Sequence, residues 1–161
     1  MIIVSAMKKN TPLNEADLRI LRELQKDATT PLERLAQRVG VSKSAVWNRI
    51  QRLRAEGVIL REVAVLDSGK VGIGETFFVA VRTAKHSSGW LEKFSAAIRE
   101  MPEIMEAHRL AGEMDYLLKV QVPTTRDFDV FYKNLISRVE LFDVTSNLSM
   151  ETMKEKTDLP L

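Results

Sequence analysis

A basic and polar stretch in the N-terminal third of the chain carries the clearest chemistry. It runs from Ser42 to Arg54 and contains hydroxyl, amide, lysine and arginine side chains but no acidic residue. Solvent-exposed helices usually mix both signs of charge, so a surface without carboxylates is suited to a polyanion. Amides and hydroxyls can hydrogen-bond base edges, while lysine and arginine can neutralise phosphates. The stretch therefore predicts binding to double-stranded DNA.

The side chains of this stretch are predicted to contact DNA in two roles. Ser44, Asn48 and Gln51 offer hydrogen-bonding groups to base edges, and the two amides suit adenine. Trp47 has two open interpretations: contact with a thymine methyl or the sugar backbone, or packing against a neighbouring domain. The cations are expected to neutralise phosphates, which fixes register without reading sequence; they are Lys43, Arg49, Arg52 and Arg54.

Three amphipathic helices are predicted to position these residues. Asn14 is a suitable N-cap for the first helix. Residues 30–33 have the form of a capping box, with Pro31 at the first helical position, which predicts the start of the second helix. Gly40 supplies the left-handed residue that ends this helix, and Ser42 caps the third.

Two short helices joined by a turn that contains glycine are typical of a helix-turn-helix. An ordinary three-helix bundle would show the same helical pattern. The acid-free face of the third helix favours the DNA-binding interpretation. We therefore predict a winged-type helix-turn-helix domain in residues 1–60.

Charge is divided unequally along the chain. Residues 1–61 hold 12 of the 24 Lys and Arg but only 6 of the 22 Asp and Glu, so this part carries +6 and the remainder −4. A basic front and an acidic back indicate that only the N-terminal part meets a polyanion. The absence of cysteine excludes disulfides and thiolate sites. No apolar run approaches the roughly 20 residues that span a bilayer, so we expect a cytoplasmic protein without a membrane partner.

The rest of the chain has an alternating strand and helix pattern. A connecting strand or linker in residues 61–75 leads to a second domain in residues 76–161. The predicted order is βαββαβ, the ferredoxin-like arrangement with both helices on one face of a four-stranded antiparallel sheet. The fold class is therefore α+β. The predicted segments are 76–83, 87–101, 104–111, 115–122, 124–139 and 142–150.

The first strand of this domain is apolar on both faces. Phe77, Val79 and Val81 alternate with Phe78 and Ala80. A strand of this kind requires cover on both sides of the sheet, and the second cover is most simply another subunit. A homodimer would also place two recognition helices about 34 Å apart on a roughly palindromic operator. Val79→Asp is then expected to give monomers.

Motifs in both parts of the chain form a recognisable set. The N-terminal part contains Leu35-Ala36, Val39-Gly40-Val41-Ser42, Arg49-Ile50 and Glu56-Gly57-Val58-Ile59, and the second part contains Gly112-Glu113-Met114-Asp115-Tyr116-Leu117-Leu118. Together they resemble the Lrp/AsnC (leucine-responsive, feast/famine) family, over about residues 13–156. The resemblance implies a sequence-specific transcriptional regulator whose dimers assemble into tetramers or octamers.

The resemblance also implies an amino-acid effector, or a related metabolite, that binds near the Gly-x-x-Asp turn at a dimer contact. Carried onto this chain, the candidates are Gly112, Glu113, Met114 and Asp115, with Arg109 on the preceding strand as a further partner for the effector carboxylate. Glycine would allow close backbone approach, and Asp115 could pair with an ammonium group. The alternative is a plain hairpin turn in which Asp115 hydrogen-bonds its own loop.

Two other functions fit this architecture. Siroheme decarboxylases share it and use histidine and arginine, and His108 precedes Arg109 here. A nucleoid-organising protein would bind DNA with little sequence preference. However, His86 and His108 lack metal-ligand spacing and no Ser/His/Asp grouping is present, so we expect no catalytic residue, metal or cofactor. Whether residues 1–6 belong to the native start stays open.

Overall fold

The computed structural model describes residues 12–84 and 87–161. The predictions that concern His86 and residues 1–6 lie outside these residues. In the described residues, helices and strands follow the predicted order. Their bounds are α1 Glu15–Lys26, α2 Leu32–Val39, α3 Lys43–Ala55, β1 Glu75–Arg82, α4 Ser88–Glu100, β2 Ile104–Arg109, β3 Tyr116–Val122, α5 Thr125–Arg138 and β4 Asp143–Leu148.

The chain divides into two compact units. The described residues up to Ala64, together with Lys154–Leu161, form the helical unit, and Val65–Met153 form the sheet unit. The boundaries predicted from the sequence place residues 154–161 in the second domain. In the structure these residues pack with the helical unit, because side chains of α1 hydrogen-bond their backbone. Of the helices described, none is long and apolar enough to cross a membrane.

Apolar side chains from three helices build the core of the helical unit. Ile20 of α1, Leu35 and Val39 of α2, and Val46 and Ile50 of α3 are all buried. Within each helix, residues three or four positions apart share a face, which gives each helix one apolar side. Because short helices are marginal alone, packing of these faces against one another stabilises the unit.

The turn between α2 and α3 has the predicted chemistry. Gly40 adopts the left-handed conformation with φ 76°, and its backbone N–H donates to the carbonyl oxygen of Ala36. The hydroxyl of Ser42 accepts a hydrogen bond of 3.2 Å from the backbone N–H of Ala45. The predicted end of α2 and the predicted cap of α3 are thus confirmed.

The start of α2 differs from the prediction. Pro31 occupies the N-cap position and no side chain caps the helix, so the expected capping box between Thr30 and Glu33 does not form. The helix begins one residue later than that box requires. A reciprocal capping box forms instead at the start of α1, between Asn14 and Asp17.

The segment after α3 contains neither a strand nor a hairpin. Residues 56–74, all of them described, form turns and irregular chain. The helix-turn-helix is therefore present without the β-hairpin of a wing. The predicted connecting segment is a linker up to the start of β1, and not a strand.

The sheet unit has the predicted ferredoxin-like topology. Its strands lie in the order β2-β3-β1-β4, and every neighbouring pair is antiparallel. Apolar side chains of α4 and α5 pack with one face of the sheet in a single core. Trp90 and Phe94 of α4 and Phe131 of α5 are buried there.

The two faces of β1 have different environments. Phe77, Val79 and Val81 belong to the core that contains both helices, and Val79 is completely buried. Phe78 points to the other face and is 39% exposed. The choice of Val79 as a residue of the subunit contact is therefore wrong, because Val79 lies in the core below the helices. A charge at this position is expected to destabilise the sheet unit. Phe78 lies on the open face instead.

Candidate nucleic-acid interface

Helix α3 presents two chemically different sides. Val46, Ile50 and Leu53 are buried and anchor one side in the helical unit. Ser44, Trp47, Asn48 and Gln51 follow each other at intervals of three, one and three residues, which places them on one helical face. We call these four residues the readout face. Ser44, Trp47 and Asn48 are exposed and Gln51 is half-buried.

The readout face is electrically neutral and largely free to bind. Trp47 is 51% exposed, which is unusual for a large aromatic side chain. Within residues 12–84 and 87–161, no hydrogen bond engages the side chains of Trp47, Asn48 or Gln51. The hydroxyl of Ser44 lies 3.2 Å from that of Ser42, the N-cap of the helix. Hydrogen-bonding groups and an aromatic ring are thus available to an outside partner.

Two arginines of α3 are directed towards α1. Nη1 of Arg49 lies 2.8 Å from Oδ1 of Asp17, and Nη2 of Arg52 lies 2.7 Å from Oδ2 of the same carboxylate. Arg49 also donates a hydrogen bond of 3.1 Å to the side-chain oxygen of Asn14. Both arginines are only about one third exposed. Their guanidinium groups are therefore committed to a contact between two helices of the helical unit.

Asp17 is the buried centre of this arrangement, which we call the Asp17 clamp. Its side chain is 0% exposed, and its carboxylate also accepts a hydrogen bond of 3.1 Å from the backbone N–H of Asn14. Asn14 reciprocates by accepting from the backbone N–H of Asp17 at 3.0 Å. A buried carboxylate is costly unless it is paired and hydrogen-bonded. Asp17 meets this condition by binding α3 and by capping α1.

The pKa of Asp17 reflects competing influences. Burial raises the pKa of this carboxyl group, but the close guanidinium of Arg52 and the hydrogen bonds from the backbone of Asn14 and from Arg49 outweigh it. The pKa of Asp17 is therefore held below its ordinary value. The same ion pair raises the pKa of Arg52. Both groups are charged throughout the physiological pH range.

The other two predicted phosphate ligands of α3 also have carboxylate partners. Lys43 is ion-paired with Glu33 of α2, and Arg54 with Glu62 of the linker. All four of these side chains are at least 40% exposed. Exposed ion pairs contribute little free energy, so a phosphate can replace the carboxylate in either pair. This distinguishes them from the arginines of the Asp17 clamp.

No structural role was assigned to Asp17 from the sequence. An aspartate near the start of a helix is typical of an exposed residue that favours the helix dipole. The position of Asp17 in the sequence could have indicated that it is buried. Asp17 and Leu21 are four residues apart, so both lie on the apolar side of α1. A carboxylate on an apolar face indicates a buried ion pair. The sequence gives no indication of its partners, which lie more than 30 residues further along the chain.

The predicted ligand turn in the sheet unit is well ordered by its own hydrogen bonds. The backbone N–H of Leu110 donates to the carbonyl oxygen of Asp115 at 2.8 Å, and that of Asp115 donates to Val81. The carboxylate of Asp115 accepts a hydrogen bond of 2.8 Å from the backbone N–H of Thr83. Asp115 therefore connects the turn to the end of β1. This structural role is close to the alternative given above, in which Asp115 only stabilises a hairpin turn.

The remaining ligand candidates surround this turn. Gly112 has φ 154°, a conformation that favours glycine, and a Cβ there would meet no atom within 4 Å. Backbone conformation rather than close approach thus explains this glycine. Glu113, Met114 and Arg109 are exposed, so they are accessible to a small molecule. Among the described residues, no group of histidine, aspartate and glutamate could hold a metal ion.

Comparison with family models identifies both units. The AsnC-type helix-turn-helix domain matches residues 13–54. The Lrp/AsnC ligand binding domain matches residues 76–159. Together these matches cover most of the chain, including α3 and the turn at Asp115.

Individual relatives are similar over nearly the whole chain. The glutamate uptake regulatory protein of Zymomonas mobilis is 47% identical over 149 residues, which are 92% of this chain and 91% of that protein. An AsnC family transcriptional regulator from Agrobacterium tumefaciens has a crystal structure with a TM-score of 0.88 and 45% identity, covering 92% of this chain and 97% of that one. A transcriptional regulator from Neisseria meningitidis, solved in complex with L-Met, has a TM-score of 0.87 and 29% identity at the same coverage.

Substitution of Asp17 by alanine is expected to destabilise the helical unit. The change leaves two arginines without their shared carboxylate and removes a capping box, which should cost about 2–4 kcal/mol. Native-state hydrogen exchange of the Ile50 amide measures this loss locally. Glu15→Ala on the same helix removes only an exposed ion pair with Arg22 and should cost less than about 1 kcal/mol. Equal losses in the two variants would contradict the clamp.

The stabilisation by Asp17 should also depend on pH in a defined direction. Because the pKa of the folded carboxyl group is lowered, its contribution is fully present above the unfolded pKa of about 3.9. It is lost as pH falls through the folded pKa. The stability difference between wild type and Asp17→Ala is thus expected to be constant from pH 5 to 8 and to shrink only below about pH 4. A difference that disappears between pH 5 and 7 would refute the lowered pKa.

Proposed function

We propose that this chain, which belongs to the Lrp/AsnC family of DNA-binding transcriptional regulators, reads its operator through the neutral readout face of α3. The observation that carries this proposal is the exposure of Ser44, Trp47 and Asn48 beside the buried anchor of the same helix. Residues near the N-terminus of a recognition helix reach base edges in the major groove. Ser44 and Asn48 would hydrogen-bond bases, Gln51 would extend the contact, and Trp47 would contact a thymine methyl or the sugar backbone.

Phosphate binding would come from exposed cations and not from the Asp17 clamp. Lys43 and Arg54 fit this role because their carboxylate partners are themselves exposed. Arg34 of α2 and Arg61 of the linker are exposed and have no ion pair among the described residues, so we add them to the phosphate ligands. The first helix of a helix-turn-helix crosses the DNA backbone, which suits Arg34. Arg49 and Arg52 would act by fixing α3.

A homodimer would supply two recognition helices for a roughly palindromic operator. The open face of the sheet supports this, since Phe78 of β1 is partly exposed between Lys119 of β3 and Asn147 of β4. A second copy on this face would bury Phe78. Assembly of dimers into tetramers or octamers stays a prediction from the family resemblance.

An amino acid or a related metabolite would modulate DNA binding from the sheet unit. The Neisseria regulator is similar to this chain and binds L-Met, which supports this class of effector. The proposed contacts are the exposed Arg109 for the carboxylate and Asp115 for the ammonium group. Asp115 already accepts the Thr83 N–H, so the ammonium would share this carboxylate. Gly112, Glu113 and Met114 would form the remainder of the site.

We propose no enzymatic activity and no cofactor. A siroheme decarboxylase would have no use for an exposed, neutral and aromatic face on a DNA-binding helix. His108, the histidine of that alternative, instead lies 3.2 Å from the exposed Glu106 on the same strand. The proposed site of action is DNA in the cytoplasm.

Two substitutions in α3 should separate base reading from phosphate binding. Asn48→Ala is expected to lower the ratio of specific to non-specific affinity, with a loss of about 1–3 kcal/mol on the operator alone. Lys43→Ala is expected to weaken binding to all sequences and to reduce the salt slope of log K by about 0.9. Binding assays with an operator selected from random DNA measure both quantities.

The matched control for charge is Lys133→Ala, an exposed lysine of α5 that should leave the salt slope unchanged. Full discrimination by the Asn48→Ala protein would contradict the readout face. A wild-type protein that binds selected and random DNA equally would indicate a nucleoid organiser.

An effector should be detectable by a thermal shift. A ligand at 100 times its Kd adds about 2.7 kcal/mol of stability, which raises Tm by several degrees. A screen of the purified protein against the amino acids is expected to give at least one such shift. Asp115→Asn, which retains an acceptor for Thr83 but loses the charge, should abolish it. Asp129→Asn on the exposed face of α5 should retain it. A shift that survives Asp115→Asn would contradict the proposed ammonium contact.

A further inference from the structure

The last residues of the chain lie along α1 in a specific arrangement. The side-chain amide of Gln25 donates from Nε2 to the carbonyl oxygen of Leu159 at 3.2 Å and accepts at Oε1 from the N–H of Leu159 at 2.6 Å. Nε of Arg22 donates to the carbonyl oxygen of Leu161 at 2.9 Å. We call residues 156–161 the tail. Two side chains on one face of α1 therefore recognise its backbone.

This surface recognises a peptide backbone rather than particular side chains. The amide of Gln25 matches both hydrogen-bonding groups of one residue, as a neighbouring β-strand would. The side chain of Leu159 is 67% exposed and contributes little burial. The two contacts through Gln25 and the third through Arg22 fix the direction of the bound segment. Exposed hydrogen bonds without apolar burial are weak, so such a contact can open and close.

The docked tail closes the chain into a loop through hydrogen bonds within the helical unit. The chain leaves this unit at Ala64, passes through the sheet unit as far as Met153 and re-enters the helical unit at Lys154. The first connection is the linker of residues 56–74, which contains no strand. A segment whose chain is closed into a loop has less conformational freedom than a segment with an open end.

We propose that the face of α1 bearing Arg22 and Gln25 is a docking site for the tail of the same chain, and that the docked tail is a releasable latch on the DNA-binding unit. Its effect on DNA rests on the proposed function. With the latch closed, the orientation of each helix-turn-helix is restricted before it meets the operator. Release of the latch therefore weakens binding that needs two units at once, and leaves binding to a single half-site unchanged.

Hydrogen exchange tests the docking without DNA. The N–H of Leu159 donates to Oε1 of Gln25, so we expect this amide to exchange more slowly than in an unstructured peptide. Gln25→Met removes the acceptor and should abolish this protection. Lys26→Met on the same helix removes only an ion pair with Glu23 and is the matched control. A Leu159 amide that exchanges at the free rate in the wild type would overturn the latch, as would protection that is lost on dilution, because docking between two copies depends on concentration.

DNA-binding assays test the proposed effect of the latch on operator affinity. Gln25→Met removes both hydrogen bonds to Leu159 at nearly constant side-chain length and helix propensity. We expect this variant to bind an operator of two half-sites about tenfold more weakly, and a single half-site with unchanged affinity. Equal affinity of variant and wild type for both DNAs would overturn the control of DNA binding by the tail. Failure of the wild type to bind any DNA would refute the proposed function and leave the hydrogen-exchange result intact.

Discussion

A single buried carboxylate, that of Asp17, constrains how the helical unit is assembled. Removing a charge from water is costly, and the cost is offset only when partners surround the charge. Here Arg49 and Arg52 approach from α3, while the N-terminal turn of α1 supplies a backbone N–H. These partners lie on two helices, so the charge is satisfied only when α1 and α3 are correctly placed. The ion pair thus fixes the relative orientation of α1 and α3, which apolar packing alone would fix less specifically.

This constraint determines which side of α3 is exposed. The inward direction of Arg49 and Arg52, together with the buried anchor at Val46 and Ile50, fixes the rotation of the helix. The readout face then points away from the unit with its hydrogen-bonding groups largely free. The basic side chains of α3 accordingly fall into two groups. The arginines of the clamp pair with the buried Asp17, while Lys43 pairs only with an exposed carboxylate and is the proposed phosphate ligand.

Local patterns in the sequence were sufficient to predict the helix-turn-helix and the βαββαβ order, since both follow from apolar periodicity and turn residues such as Gly40. What the sequence left open depends on contacts between distant residues. The partners of Asp17, the docking of the tail on Gln25 and the covered face of β1 are of this kind. The choice between Val79 and Phe78 as the open side depends on which face the helices cover, and alternation alone cannot decide that. The missing capping box at Thr30 reflects a shift of one residue in the start of α2.

We propose that the clamp arginines stabilise the protein and do not bind phosphate. Arg52→Met tests it most directly, because methionine retains the apolar stem and removes the guanidinium. The salt dependence of DNA affinity and the free energy of unfolding are measured on the same variant. We expect a less stable protein whose salt slope equals that of wild type. A slope reduced by about 0.9, as expected for one lost phosphate contact, together with unchanged stability would contradict it.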